Sequence, residues 1–94
     1  MKAITIVTAA VLGLGVAHAA QASEAIAKGA GCMNCHDVAA KKAGPAFKEV
    51  AAKNKGKADA EGTLVAKLGD AKKHPANKAS EDDRKAIVKW ILAM

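Results

Sequence analysis

Cys32-Met33-Asn34-Cys35-His36 is the stretch on which the reading of this chain turns. Its two thiols stand three positions apart, so both can bond to the two vinyl groups of a single porphyrin. The histidine directly after the second thiol can then turn its imidazole onto the iron. This is the C-x-x-C-H form of covalent haem c attachment, with Cys32 and Cys35 as the anchoring residues and His36 as an iron ligand. Three other readings of the same residues are weaker. A thioredoxin-like redox pair needs a βαβ context, and the chain shows no strand alternation. A structural zinc site needs about four ligands, and too few remain beyond Cys32, Cys35 and His36. A plain disulfide suits an exported chain, but a bridge over so short a loop removes little chain entropy.

The N-terminus supports the haem reading. Met1-Lys2 precedes an uncharged run from Ala3 to Ala17, followed by two Ala-x-Ala sites, Ala17-His18-Ala19 and Ala20-Gln21-Ala22. This is the pattern of a secretory signal peptide over residues 1–22, with cleavage after Ala22. A retained anchor is disfavoured because the apolar run is shorter than the roughly 20 residues that span a bilayer. The expected mature chain, 23–94, is one domain of 94 less 22, or 72 residues, in an oxidising periplasmic compartment. Its histidines are then His36 and His74, its methionines Met33 and Met94. Loss of Lys2 takes the formal charge from +6 to +5.

A domain of this size is difficult to stabilise alone. With one Phe, one Trp and no Tyr, its core looks underfilled. A buried porphyrin would supply the missing apolar volume, as would a partner subunit. Periodicity predicts an all-α chain. Ser23 is the expected N-cap of a first helix through about Ala30, with Glu24 in its first turn and Ile26 and Ala30 on one face, ended by Gly31. Asp37 to Lys42 reads as a solvated link and Gly44-Pro45 as a turn. A second helix, Ala46 to Lys53, has Phe47, Val50 and Ala51 inward. After a basic loop, Ala58 to Leu68 forms a third helix, with Leu64, Val65 and Leu68 clustered and Gly69 closing it. Ser80-Glu81-Asp82-Asp83 resembles a capping box for the last helix, whose buried face carries Ile87, Val88, Trp90 and Ile91.

Taken together, Gly31-Cys32-x-x-Cys35-His36, Gly44-Pro45-Ala46-Phe47-Lys48-Glu49-Val50-Ala51 and Lys89-Trp90-Ile91-Leu92 after the Ser80 cap resemble the small bacterial class I c-type cytochromes. The resemblance covers the whole expected mature chain. It implies a small cytochrome c fold of about four helices around one covalent haem, with the first and last helices crossing. It also implies that the Pro45 carbonyl accepts the Nδ1–H of His36, a bond that fixes the ring and raises its basicity towards iron.

The chain departs from that family at the second ligand. The family usually offers a methionine in a pattern resembling Met-Pro-Pro-Asn, whereas this chain has His74-Pro75-Ala76-Asn77. His74 is therefore expected as the second iron ligand, imidazole being well suited to iron. The open alternatives are a vacant or water-bound site, or ligation by Lys72 or Lys73. Asn77 matches a family asparagine that helps hold the distal ligand, and a bond from it to His74 is an open expectation. The stretch from Leu68 to His74 is shorter than usual in the family, and Ala27 replaces an aromatic residue often found on the first helix, leaving Trp90 a smaller partner.

Two strong-field ligands leave no open position for substrate, which predicts a one-electron carrier and not an enzyme. Histidine in place of methionine predicts a lowered potential. The alternative is a haem-based sensor in which a labile His74 admits a gas. Lys41, Lys42, Lys48, Lys53, Lys55, Lys57, Lys72, Lys73 and Lys78 fall in or near loops, where they serve solubility or steer an acidic redox partner. Nucleic acid is not an expected partner, since stacking aromatics are lacking. No stable membrane insertion is expected after cleavage, and the protein is expected to be a monomer.

Overall fold

The computed structural model describes residues 22–94. The expected signal peptide lies outside the described residues except for Ala22. Among the described residues the chain forms four α-helices and no strands: α1 (22–29), α2 (Phe47–Lys53), α3 (Ala60–Leu68) and α4 (Glu81–Leu92), with a short 3₁₀ turn at Cys32–Asn34. No described helix is long and apolar enough to cross a membrane.

Helix α1 already includes Ala22, so Ser23 is a helical residue rather than the expected N-cap. The helix ends as expected at Gly31, whose φ of 89° lies in the left-handed region that glycine adopts without strain. That reversal sends the chain directly into the Cys32–Asn34 turn.

Helix α4 is the spine of the core. Ser80 accepts the backbone N–H of Asp83 at 3.1 Å, the Ser80 half of the expected capping box. Ile87 and Val88 are almost fully buried. Ile87 and Ile91 share one cluster with Ala27 and Ala30 of α1, Phe47 of α2, and Ala79. Ala27 is the most buried residue of that cluster, because only a small side chain fits where α1 meets α4. Trp90 packs on the same cluster and finds its aromatic partner in Phe47, edge to face, with centroids 5.7 Å apart. The expectation of a poorly matched Trp90 therefore overlooked α2.

Helix α3 differs most from expectation. It starts at Ala60, two residues late, and Ala60 alone is buried. Leu64, Val65 and Leu68 are half-exposed on the protein as it stands, an apolar face that the polypeptide itself leaves partly open. Gly69 closes the helix with an ordinary φ of −87° and so uses no conformation special to glycine.

Candidate functional site

The 3₁₀ turn sets the two thiols and the first imidazole. His36 N–H donates to the Cys32 carbonyl at 3.0 Å, and Cys35 N–H donates to the same oxygen at 3.2 Å. Both thiols are free; Cys32 is half-buried and Cys35 exposed. Burial pushes the Cys32 thiol above its ordinary pKa, partly offset by a backbone hydrogen bond. The Lys42 ammonium donates to the Met33 carbonyl at 3.0 Å, tying the following loop back to this turn.

The His36 ring is fixed from three sides. Its Nδ1 lies 2.6 Å from the Pro45 carbonyl oxygen. A carbonyl can only accept, so Nδ1 carries the proton, and in neutral imidazole the free lone pair belongs to Nε2. The Phe47 ring lies beside it, centroids 5.0 Å apart and planes 25° apart. Gly44 packs so closely that a Cβ there would collide with Cε1 and come within 2.8 Å of both ring nitrogens. Glycine is thus required by the closeness of the imidazole, and a bond from Gly44 N–H to the Cys35 carbonyl, 2.7 Å, holds it there.

The segment expected to be a solvated link is part of this frame. Asp37 accepts the N–H groups of Ala39 and Ala40 through Oδ2, each at 3.0 Å. Those bonds, that to Ala39 first, hold its carboxyl below the usual carboxylate range. The carbonyls of Asp37 and Val38 receive the N–H groups of Phe47 and Lys48, both at 3.0 Å. The exposed donors at the start of α2 are thereby satisfied by the loop that carries His36.

The opposite imidazole comes from the loop between α3 and α4. Asp70 closes a turn there: its Oδ1 accepts the Lys72 N–H at 2.9 Å, and its carbonyl accepts the N–H groups of Lys73 and His74 at 3.0 Å. His74 Nδ1 lies 2.8 Å from the carbonyl oxygen of Pro75, so this ring too keeps Nε2 as its free nitrogen. Asn77 does not bond to His74. Its amide donates to the Leu68 carbonyl at 2.9 Å and its Oδ1 accepts the Ala79 N–H at 3.1 Å, pinning the loop to the end of α3.

The two imidazoles, 38 residues apart in sequence, lie with their planes 3° from parallel and their centroids 6.1 Å apart. Two in-line metal–imidazole bonds of about 2.0–2.1 Å, with the half-width of each ring added, separate ring centroids by about 6 Å. With both Nδ1 atoms committed to carbonyls, the pair fits a shared iron, and the free thiols stand beside His36 on one turn. The residues present therefore fit a covalently attached haem. Two grooves lie away from this pair. One of about 530 Å³ lies between the end of α2 and the end of α4, and one of about 340 Å³ between α3 and α4; neither is lined by His36 or His74.

The sequence pointed to Cys32, Cys35 and His36 through their contiguous motif, and to Pro45, His74 and Asn77 through resemblance. It did not point to Gly44 and Phe47 as neighbours of the imidazole, to Lys42 as a tie, or to Asp37 as a brace. The Gly-Pro pair next to a metal-ligand motif was a usable clue to Gly44.

Residues 20–94 match the family model described as cytochrome c. The chain is similar to cytochrome c-552 of Hydrogenobacter thermophilus, with 37% identity over 86% of this chain and 90% of that protein. It is also similar to cytochrome c-551 of Allochromatium vinosum, with 40% identity over 84% and 93% of the two chains. Among solved structures, the class 1 cytochrome MtoD from Sideroxydans lithotrophicus superposes with a TM-score of 0.70 at 35% identity, covering 78% of this chain and 92% of that one.

Proposed function

Because the chain belongs to the cytochrome c family, we propose that it is a periplasmic one-electron carrier whose single iron is held by His36 and His74. One haem c is attached covalently through Cys32 and Cys35. Bound there, the haem supplies an iron that takes up and gives back one electron without needing an open coordination position.

The protein's part is to hold the group still and to set its electronics. The thiols of Cys32 and Cys35 add across the vinyl groups to form thioethers, fixing the porphyrin to the turn that also carries His36. The Pro45 carbonyl keeps the His36 proton on Nδ1, which fixes the ring and raises its donor strength. The half-exposed Leu64, Val65 and Leu68 offer apolar surface that a porphyrin would cover. The parallel imidazoles at 6.1 Å carry the ligand assignment. They also favour a carrier over a gas sensor, since the His74 ring lies parallel to that of His36 on a braced loop.

Exchange of a thioether for an imidazole removes a ligand that favours ferrous iron, so the potential is set below that of histidine–methionine relatives. Residues 1–22 direct export. The exposed lysines of the loops, among them Lys41, Lys55, Lys57, Lys72, Lys73 and Lys78, give the surface a positive field that steers an acidic redox partner.

The test is an absorption spectrum of the ferrous holoprotein before and after CO, followed by a redox titration of wild type and His74→Met. A low-spin spectrum that CO leaves unchanged on mixing and alters only slowly, with a potential that rises in the variant, is the expected result. CO binding without hindrance overturns ligation by His74. A wild-type potential at or above that of histidine–methionine relatives overturns the low-potential assignment.

A further inference from the structure

The bond made by the His74 ring reaches only to the next residue, Pro75. It fixes the rotation of the imidazole but not its place relative to His36. That place is set by the whole 69–79 loop, and the loop is set by its ends. One end is Gly69, which follows α3, and the other is Ala79, which precedes the cap of α4.

A single guanidinium touches both ends. Arg84, in the first turns of α4, donates from Nη1 to the Ala79 carbonyl at 2.9 Å. The other edge of the same group lies over Gly69, where a Cβ would stand 3.4 Å from Nη2 and 3.5 Å from Cζ. A Cβ at Gly69 would meet the guanidinium at the tight edge of ordinary van der Waals contact, so the group lies close against the backbone at the start of the loop. The planar, rigid fork of arginine suits this double contact, which a lysine ammonium at one point could not make. The positive charge also sits at the C-terminal end of α3, where the helix dipole favours a cation. Finally, Arg84 Nε is buried with no partner, a destabilising feature that a purely stabilising side chain would not retain.

We propose that Arg84 is a positioning residue for His74, holding the imidazole in its ligating position by fastening both ends of the 69–79 loop to α4. The proposal rests on His74 being the iron ligand. Asn77 also joins the two ends, from the Leu68 carbonyl to the Ala79 N–H, and the bond from Lys78 N–H to the Ala30 carbonyl, 3.3 Å, steadies the loop beside Ala79, but neither ties it to α4.

The experiment mixes ferrous holoprotein with saturating CO and follows the rate, which is then limited by departure of His74. Loss of the Arg84 bond in Arg84→Gln is expected to raise that rate roughly tenfold, equivalent to about 1.4 kcal/mol. Arg84→Lys keeps the charge without the fork and is expected to fall between wild type and Arg84→Gln. Gly69→Ala, whose backbone tolerates alanine, crowds the guanidinium and gives a smaller rise, so the idea remains testable if Arg84→Gln fails to fold. Ile87→Val removes a buried methyl from the core cluster without removing the Arg84–Ala79 hydrogen bond and serves as the stability control.

An unchanged rate in Arg84→Gln, or in Gly69→Ala where that variant alone is folded, overturns the proposal. An equal rise in Ile87→Val also overturns it, because departure would then follow global stability. Wild-type protein that takes up CO with no limiting step overturns the His74 assignment itself, a result distinct from both.

Discussion

The two imidazoles are held by different kinds of structure. On the His36 side, every restraint reaches across the chain. The ring bonds to Pro45, stacks near Phe47 and presses on Gly44, and the loop between them is tied by Lys42 and Gly44 to the 3₁₀ turn. On the His74 side the ring bonds to its own neighbour, and the restraints act on the loop instead, through Asp70, Asn77 and Arg84. The first imidazole is fixed as a side chain and the second as part of a segment. A side chain set by contacts tolerates little change around it, whereas a segment set at separate points loosens by degrees. On the proposed ligation by both rings, the His74 side is therefore where ligand exchange and adjustment of potential have room to occur.

That contrast is most sharply tested at Gly44. Gly44→Ala places a methyl in space that the His36 ring occupies, with 2.8 Å to either ring nitrogen. The ring must turn and release Pro45, or the backbone must move. The expected loss of stability is about 1–3 kcal/mol, typical of overpacking, read from denaturant unfolding of the holoprotein. A variant as stable as wild type, with an unchanged spectrum, would break the claim that this side is rigid.

On the distal side, Asn77→Ala removes an amide that spans from Leu68 to Ala79. Two partly exposed hydrogen bonds are lost, and a smaller effect of about 1 kcal/mol is expected from the same unfolding measurement. The variant should also take up CO faster in the ferrous state, since the loop carries the ligand. If Asn77→Ala is more damaging than Gly44→Ala, the ranking of the two sides is reversed.

The same contrast explains what could be read from the sequence. Helix α4 was legible because its cap and its apolar face are local patterns, and Cys32, Cys35 and His36 because their chemistry needs contiguous spacing. His74 could be reached because the segment around it resembles a family motif and few other ligands were available. Asp37 was read as part of a solvated link, and its carboxylate is exposed; what the sequence did not show is that the carbonyls of Asp37 and Val38 receive the first donors of α2, because that pairing joins residues set apart in the chain. Arg84 left no trace, since its meaning lies in the meeting of Gly69 and Ala79, ten residues apart and joined only by folding. The apolar residues of α3 were legible as one face of a helix, but a helix pattern does not say what covers that face, and the polypeptide leaves it partly open.

The smallest expected effect concerns Asp37 and refines the proximal half of the comparison. Its carboxyl is held below the usual range chiefly by the N–H groups of Ala39 and Ala40, so the folded chain favours the ionised form more than the unfolded chain does. The stability this contributes is present above the unfolded pKa of about 3.9, and it is lost as pH falls through the lower folded value. Asp37→Asn has no such titration. The wild-type protein should therefore be the more stable of the two at neutral pH, with the gap closing on acidification through that window. Unfolding curves of both proteins at a series of pH values measure the gap directly. If it closes, the turn that receives α2 is an ionisable brace, and acid loosens the His36 frame from its outer edge. A gap that stays constant down to about pH 3 would assign the effect to lost shape rather than lost charge, and the proximal side would then owe its rigidity to packing and backbone bonds alone.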